Sequence, residues 1–109
     1  MWETLLNALR ATGVPFAEQA WVKADKAVAE YGILRLRGAG DTVWADGGMA
    51  AQAMAAAVHY FSRSSGLIRA GEIQEVLHGI EGLSWSLSDI QYEDDTKLTH
   101  YTWLVEWAD

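Results

Sequence analysis

The chain has 109 residues, of which 50% are hydrophobic and 21% are charged, and its formal net charge is -7. This length and composition are typical of a single folded domain over residues 1–109 and exclude a disordered tail. The acidic balance, with no cluster of Lys and Arg, argues against binding to nucleic acid phosphates. The chain has no Cys, which excludes disulfides and thiolate metal sites.

The first predicted element is an amphipathic helix near the start of the chain. Apolar residues recur there at the spacing of one helix face: Trp2, Leu5, Leu6 and Leu9. Gly13 is expected to end the helix in a left-handed conformation. A signal peptide is not expected, because Glu3 comes early and the segment lacks a basic start and a continuous apolar run. No stretch has the 18 or more apolar residues of a membrane span.

Strands are predicted to follow Pro15, which forces the chain out of helical geometry. Residues 16–22 alternate as a strand, and the β-prone runs 31–37 and 42–44 are expected to pair as a hairpin. Residues 49–63 are ambiguous, because six of them are Ala, the best helix former, yet the segment ends in β-branched and aromatic residues. Intrinsic propensity alone predicts a helix there.

A second helix is predicted where apolar residues return at helical spacing: Ile73, Val76, Leu77 and Ile80. Residues 83–92 then alternate as a strand whose parity changes near Ser88 and Asp89. A bulge at that point would return Ile90 and Tyr92 to the face of the earlier apolar residues. Residues 98–107 follow an acidic turn and are predicted to run back antiparallel to this strand.

The residue types that carry catalysis or bind metals do not occur at the necessary spacings. The His residues, at positions 59, 78 and 100, are too far apart for the usual zinc-ligand spacing. Glu93, Asp94 and Asp95 lack the spread and the turn Gly of a calcium loop, so a solvated hairpin turn is favoured over a contact surface or a weak cation site. No phosphate-binding glycine motif or Gly-x-Ser-x-Gly elbow occurs. The sequence predicts no metal site, no cofactor and no enzymatic activity.

The aromatic residues are more numerous than a core of this size easily encloses, with 6 Trp, 4 Tyr and 2 Phe. Some are therefore expected at contacts with other chains, where aromatics are enriched. On the last strand, Tyr101, Trp103 and Trp107 are expected in the core. The alternative, a platform that stacks on a sugar or a base, normally has polar or basic neighbours.

Two stretches accompany this order of elements: Val58-His59-Tyr60-Phe61-Ser62-Arg63, and Ile90-Gln91-Tyr92-Glu93-Asp94-Asp95 followed by His100-Tyr101-Thr102-Trp103. Over nearly the whole chain the arrangement resembles the small tail terminator, tail completion and minor capsid (head-tail joining) proteins of long-tailed phages. In that family a long sheet strand precedes the second helix. The resemblance therefore predicts a strand over residues 49–61, against the Ala content. The expected fold is α+β, with two helices on a mostly antiparallel sheet, three or four strands between the helices, and the full order α-β-β-β-β-α-β-β.

The resemblance also implies a function: a virion structural protein at the tail or head-tail junction, made in the cytoplasm of the host bacterium. The implied partners are copies of the chain in a ring of about six, the tail tube protein and the head-tail connector protein. DNA would pass without specific binding, and no membrane is involved. Trp21, Trp44 and Trp107 are candidates for the subunit contacts, and the turn from Glu93 to Asp95 is a candidate for the lumen. The alternative is a small acidic protein-binding module, inhibitor or antitoxin-like.

Overall fold

A computed structural model describes residues 1–20, 28–45 and 48–108, with residues 38–45 and 48–52 described by their backbone alone. The elements in chain order are α1 (Trp2–Arg10), β1 (Phe16–Glu18), β2 (Glu30–Ala45), β3 (Gly48–Ser62), α2 (Leu67–Gly79), β4 (Leu83–Glu93) and β5 (Leu98–Ala108). The strands form one sheet in the order β1-β2-β3-β5-β4. β1 runs parallel to β2, and the other neighbouring pairs are antiparallel.

The predicted class, two helices packed on a mostly antiparallel sheet, is confirmed. Residues 49–61 are extended within β3, so the strand expected there from the resemblance is confirmed and the helix expected from Ala propensity is not. β3 is hydrogen-bonded on both sides, to β2 and to β5. Tertiary pairing therefore overrides the weak intrinsic preference of Ala for a helix.

The expected hairpin between residues 31–37 and 42–44 is wrong. Both runs belong to the single strand β2, which pairs with β3 over most of its length, so the described residues have three strands between the helices. Register shifts between Leu36 and Gly38, and between Ala39 and Thr42, accommodate the glycines within the ladder. Since β5 pairs with β3 only as far as Ala53, the far part of β2 and β3 extends from the sheet as a two-stranded arm.

α1 forms where the sequence predicted it, and its apolar stripe faces the sheet. Leu5, Leu6 and Leu9 are buried, and each buried Leu side chain contributes roughly 1.5–3 kcal/mol to folding. The helix ends at Arg10 with Ala11 as its C-cap, and Gly13 has φ +93° in the turn that follows, a left-handed conformation that favours glycine. The Arg10 side chain then donates two hydrogen bonds to the backbone oxygen of Phe16, at 3.2 and 3.1 Å, which ties the helix end to β1.

The core lies between the two helices and one side of the sheet, called here the inner face. Its strand residues share that side by the register: Leu34, Ala56, Val58, Tyr60, Tyr101, Trp103, Val105 and Trp107. Ala70, Ile73 and Leu77 of α2 cover them together with the α1 leucines. The opposite side, called the outer face, has no helix packed on it in the described residues. Ile33, His59, Phe61, His100 and Thr102 lie on the outer face.

Candidate assembly surface

An apolar row runs along β4 on the inner face, beside the core. Leu87 is the register partner of Trp103, and Ile90 is the partner of Tyr101, so both share the core's side of the sheet. The register shifts between Leu87 and Asp89. This is the bulge predicted from the change in sequence parity, and it keeps the apolar residues before and after it on one face.

The helices do not cover this row. Trp103 is 1% exposed, whereas Leu87 is 43%, Ile90 52% and Tyr92 60% exposed. Leu87, Ile90 and Tyr92 are called the β4 row below. These side chains share the face of the core but keep about half of their surface in water. Their apolar surface is therefore available for burial against another molecule.

β4 is also an edge strand, the last in the order of the sheet. Along its 11 residues it carries no Pro, and its charged residues are Asp89 and Glu93. Edge strands are normally short, charged or covered by other parts of the protein, because their free N–H and C=O groups pair readily with another chain. The bulge protects one point of the edge. Among the described strands none pairs with the outer side of β4, so the rest of the strand presents backbone hydrogen-bonding groups beside the apolar row.

The acidic turn joins β4 to β5 at one end of this edge. Asp94 and Asp95 are exposed and Glu93 is half-buried. The turn is closed by a hydrogen bond from the Lys97 N–H to the Glu93 backbone oxygen at 2.8 Å, with Lys97 at φ +58°. In the described part of the chain, no group of three or more His, Cys, Asp or Glu side chains has the geometry to hold a metal ion.

The three tryptophans expected at subunit contacts are placed differently from one another. Trp21 lies outside the described residues, and Trp44 lies on the part of β2 described by backbone alone, where Met49 is its register partner. Trp107 is 5% exposed and belongs to the core. Its assignment as a surplus aromatic is therefore corrected, whereas the expectation that Tyr101, Trp103 and Trp107 form the core face is confirmed.

Trp107 nevertheless lines an apolar cleft of about 280 Å³ at the end of the sheet away from the acidic turn. The cleft is lined by Met1, Trp2, Leu36, Met54 and Trp107. Since Leu83 pairs with Trp107 and Tyr92 pairs with Thr99, the cleft and the Tyr92 end of the β4 row are separated by about 27 Å along the strands, at about 3.4 Å per residue. The sheet thus carries two different apolar patches toward opposite ends.

Apart from the acidic turn, a cluster of polar side chains lies at the start of α2, around a cleft of about 420 Å³. Glu30 accepts a hydrogen bond from the Tyr60 hydroxyl at 2.7 Å and pairs with Arg69, whose Nε lies 3.3 Å from Oε1. Arg69 also donates to the Thr12 backbone oxygen at 2.7 Å and to Glu72 at 2.8 Å. Burial, followed by the hydrogen bond to Glu30, raises the pKa of Tyr60. The contacts join α2 and the turn after α1 to β2 and β3, which makes this group a structural connection.

On the outer face, His59 of β3 and His100 of β5 meet across the ladder. The Nδ1 of His59 lies 2.8 Å from the Nε2 of His100, and the Thr102 hydroxyl lies 3.4 Å from the first nitrogen and 3.2 Å from the second. Phe61 stacks on the His100 ring with centroids 4.1 Å apart. One imidazole donates and the other accepts, according to the tautomer.

Both rings are shifted toward the neutral form. Burial, with smaller effects of His100 and Arg35, lowers the pKa of His59 to about 4. Burial also lowers the pKa of His100, against the opposing effect of the carboxylates of Glu93 and Asp89. At neutral pH the outer face therefore carries two uncharged imidazoles in mutual contact.

Spacing along the sequence does not indicate that these two histidines are neighbours. His59 and His100 are 41 positions apart, and they meet because the register pairs His59 with Thr102 and Phe61 with His100. One sign that they could meet is present in the sequence, because both are predicted to lie on strands. Only the register, which strand prediction does not supply, makes them neighbours.

None of the described helices is both long and apolar enough to cross a membrane. No protein-family model matches the chain, and no curated protein is significantly similar to it. The chain's own residues therefore carry the functional inference.

Proposed function

We propose that this protein is a virion structural protein of a long-tailed phage, which assembles as a ring at the end of the tail and joins the tail to the head connector. The supporting observation is the β4 row, three large apolar side chains that share the face of the core but stay 43 to 60% exposed. A contact with a neighbouring subunit would bury them.

The edge of β4 strengthens this proposal because it adds directed contacts to the apolar ones. Backbone pairing with another chain would satisfy the open N–H and C=O groups of β4 while the row is buried on the same side. A small interface built in this way combines register from the hydrogen bonds with affinity from the apolar side chains.

A ring requires a head-to-tail contact, in which one patch of a subunit meets a different patch of the next. The β4 row and the cleft lined by Trp107 are two such patches, and they lie toward opposite ends of the sheet. In this proposal the Tyr92 end of one subunit packs at the Trp107 cleft of the next. Trp107 would then act as the buried floor of a contact instead of an exposed aromatic.

The phage context comes from the resemblance of the element order and of the stretches 58–63 and 90–103 to tail terminator and head-tail joining proteins. The net charge of -7 is compatible with it. DNA that passes a ring must not adhere to its wall, and carboxylates such as Asp94 and Asp95 repel phosphates over about 8 to 10 Å at physiological salt. We place the acidic turn toward the lumen.

Native mass spectrometry combined with negative-stain electron microscopy of the untagged protein tests this proposal. The expected result is a closed ring of about six subunits with a central opening. A stable monomer over the whole concentration range would contradict the ring. A defined heterodimer with a protein from the same genome would support the acidic binding module instead. The position of the gene, between head and tail genes, is an independent check of the phage assignment.

A further inference from the structure

The outer face carries a cluster that the assembly proposal does not use. His59, His100 and Thr102 place two imidazole nitrogens and one hydroxyl oxygen at the corners of a triangle with sides of 2.8, 3.2 and 3.4 Å. All three atoms offer lone pairs in the tautomers that place the ring protons on Nε2 of His59 and Nδ1 of His100, and the three residues lie on the adjacent strands β3 and β5.

The size of this triangle matches one face of a metal coordination shell. Zinc binds imidazole nitrogen at about 2.0–2.1 Å, so two ligands of one ion lie about 3.4 Å apart in tetrahedral geometry and about 3.0 Å apart in octahedral geometry. The sides of 3.2 and 3.4 Å lie between these two values, and the 2.8 Å side between the two nitrogens is shorter than both. A small outward movement of one imidazole, which now hydrogen-bonds to the other, would admit an ion.

An aromatic side chain and a carboxylate lie beside the two rings. Phe61 stacks on His100, and its centroid lies 6.3 Å from that of His59. Asp89, the register partner of Thr102, places an exposed carboxylate on the same face.

We propose that His59, His100 and Thr102 bind a late first-row divalent cation, such as Zn²⁺, Ni²⁺ or Cu²⁺, on the outer face of the sheet. Imidazole selects these ions over Mg²⁺ and Ca²⁺, which prefer all-oxygen sites. Two imidazoles and a hydroxyl leave coordination positions for water, so the site is open. The bound ion would link β3 to β5 and add stability to the centre of the sheet. This inference does not depend on ring assembly.

The test is isothermal titration of the full chain, without a histidine tag and freed of metal by a chelator, with CuCl₂ and ZnCl₂. One ion per chain is expected, bound more tightly for Cu²⁺ than for Zn²⁺ by the order of divalent affinities, together with a higher melting temperature. His59→Ala and His100→Ala should each weaken binding by at least about tenfold. His78→Ala is the matched control, since His78 lies on α2 against Trp85, and it should leave binding unchanged.

Wild-type protein gives a second readout that does not depend on the folding of variants. Paramagnetic Cu²⁺ should broaden the imidazole NMR signals of His59 and His100 and spare those of His78. The proposal is overturned if no heat or stabilisation is seen with either ion, if His78→Ala removes the binding, or if the His59→Ala/His100→Ala double variant binds like the wild type. The last result would locate the ion on other ligands, such as the acidic turn.

Discussion

β4 and β5 are neighbouring strands of equal length that present apolar residues to the same side of the sheet, yet their surroundings differ. On β5, Trp103 and Val105 are each 1% exposed beneath the helices. On β4, Ile90 is 52% and Tyr92 60% exposed. The residues of the two rows are paired with each other across the strands. Their difference in exposure therefore comes from what covers each row.

The comparison teaches that apolar periodicity reports which side of a strand is apolar, and does not report whether the domain itself provides the cover. α1 and α2 are 9 and 13 residues long, and they cover β3 and β5 but stop short of the β4 row. A subunit that leaves such a row open gains little stability from it while alone. The row becomes useful once a second chain covers it.

The largest expected change in stability comes from substituting a buried residue of β5. Trp103→Ala should lower the free energy of unfolding by about 3–5 kcal/mol, because it empties a fully buried volume and removes the hydrogen bond from its indole N–H to Gln74. Ile90→Ala, on the uncovered row, should change it by no more than about 0.5 kcal/mol. Urea denaturation at a dilution where the chain is monomeric measures both. Equal losses would mean that the two rows have the same cover.

The opposite edge of the sheet provides a second contrast, because β1 closes it with the Phe16 ring directly over Gly32. A Cβ at position 32 would overlap that ring, so Gly32→Ala should cost about 1–3 kcal/mol through overpacking. Chemical denaturation again gives the value.

Gly71→Ala is the matched control for that variant, since a Cβ at position 71 of α2 meets nothing within 4 Å. It should raise stability by roughly 0.5–1 kcal/mol, the usual gain from replacing a helical Gly by Ala. If Gly32→Ala were as harmless as Gly71→Ala, the closure of this edge by Phe16 would be wrong.

A smaller effect is expected from pH on the outer face, measured in a chelator so that no metal competes for the imidazoles. The pKa of His59 is about 4 in the folded chain against 6.5 for the ordinary side chain. Between these values the unfolded state binds more protons. The contribution of His59 to the free energy of unfolding should therefore be fully present above pH 6.5 and fall as the pH is lowered toward 4.

His100 on β5, Arg35 on β2, and the carboxylates Asp89 and Glu93 of β4 contribute to the same field. The contribution of His59 is isolated by comparing wild type with His59→Gln, whose stability should fall less steeply between pH 6.5 and 4. Parallel curves for wild type and His59→Gln would show that the ring is not held in its neutral form.

The elements with local signals were predictable from the sequence. α1, α2, the closing hairpin and the bulge beside Ser88 follow from periodicity and parity, which are properties of neighbouring residues. The long strand β3 was not predictable from propensity, because its alanines favour a helix and partners on both sides hold them extended. It was reached through the resemblance alone.

The candidate site was predictable only in part, because contacts between distant segments depend on register. The acidic turn was foreseen, but the open state of Ile90 and Tyr92 depends on where two helices end over a sheet. The meeting of His59 with His100 depends on the alignment of β3 with β5. The burial of Trp107 was one of two expectations for that residue, and only packing could distinguish them.

The central claim is that the β4 row is an assembly surface, and sedimentation velocity of matched variants tests it most directly. The variant Leu87→Ser/Ile90→Ser/Tyr92→Ser removes the row. Leu67→Ser/Ile68→Ser removes two apolar side chains of α2 that are 68 and 82% exposed. The wild type and the α2 variant should sediment as the same assembly, and the β4 variant as a folded monomer by circular dichroism. A wild type that stays monomeric, or a β4 variant that assembles as the wild type does, would contradict the claim.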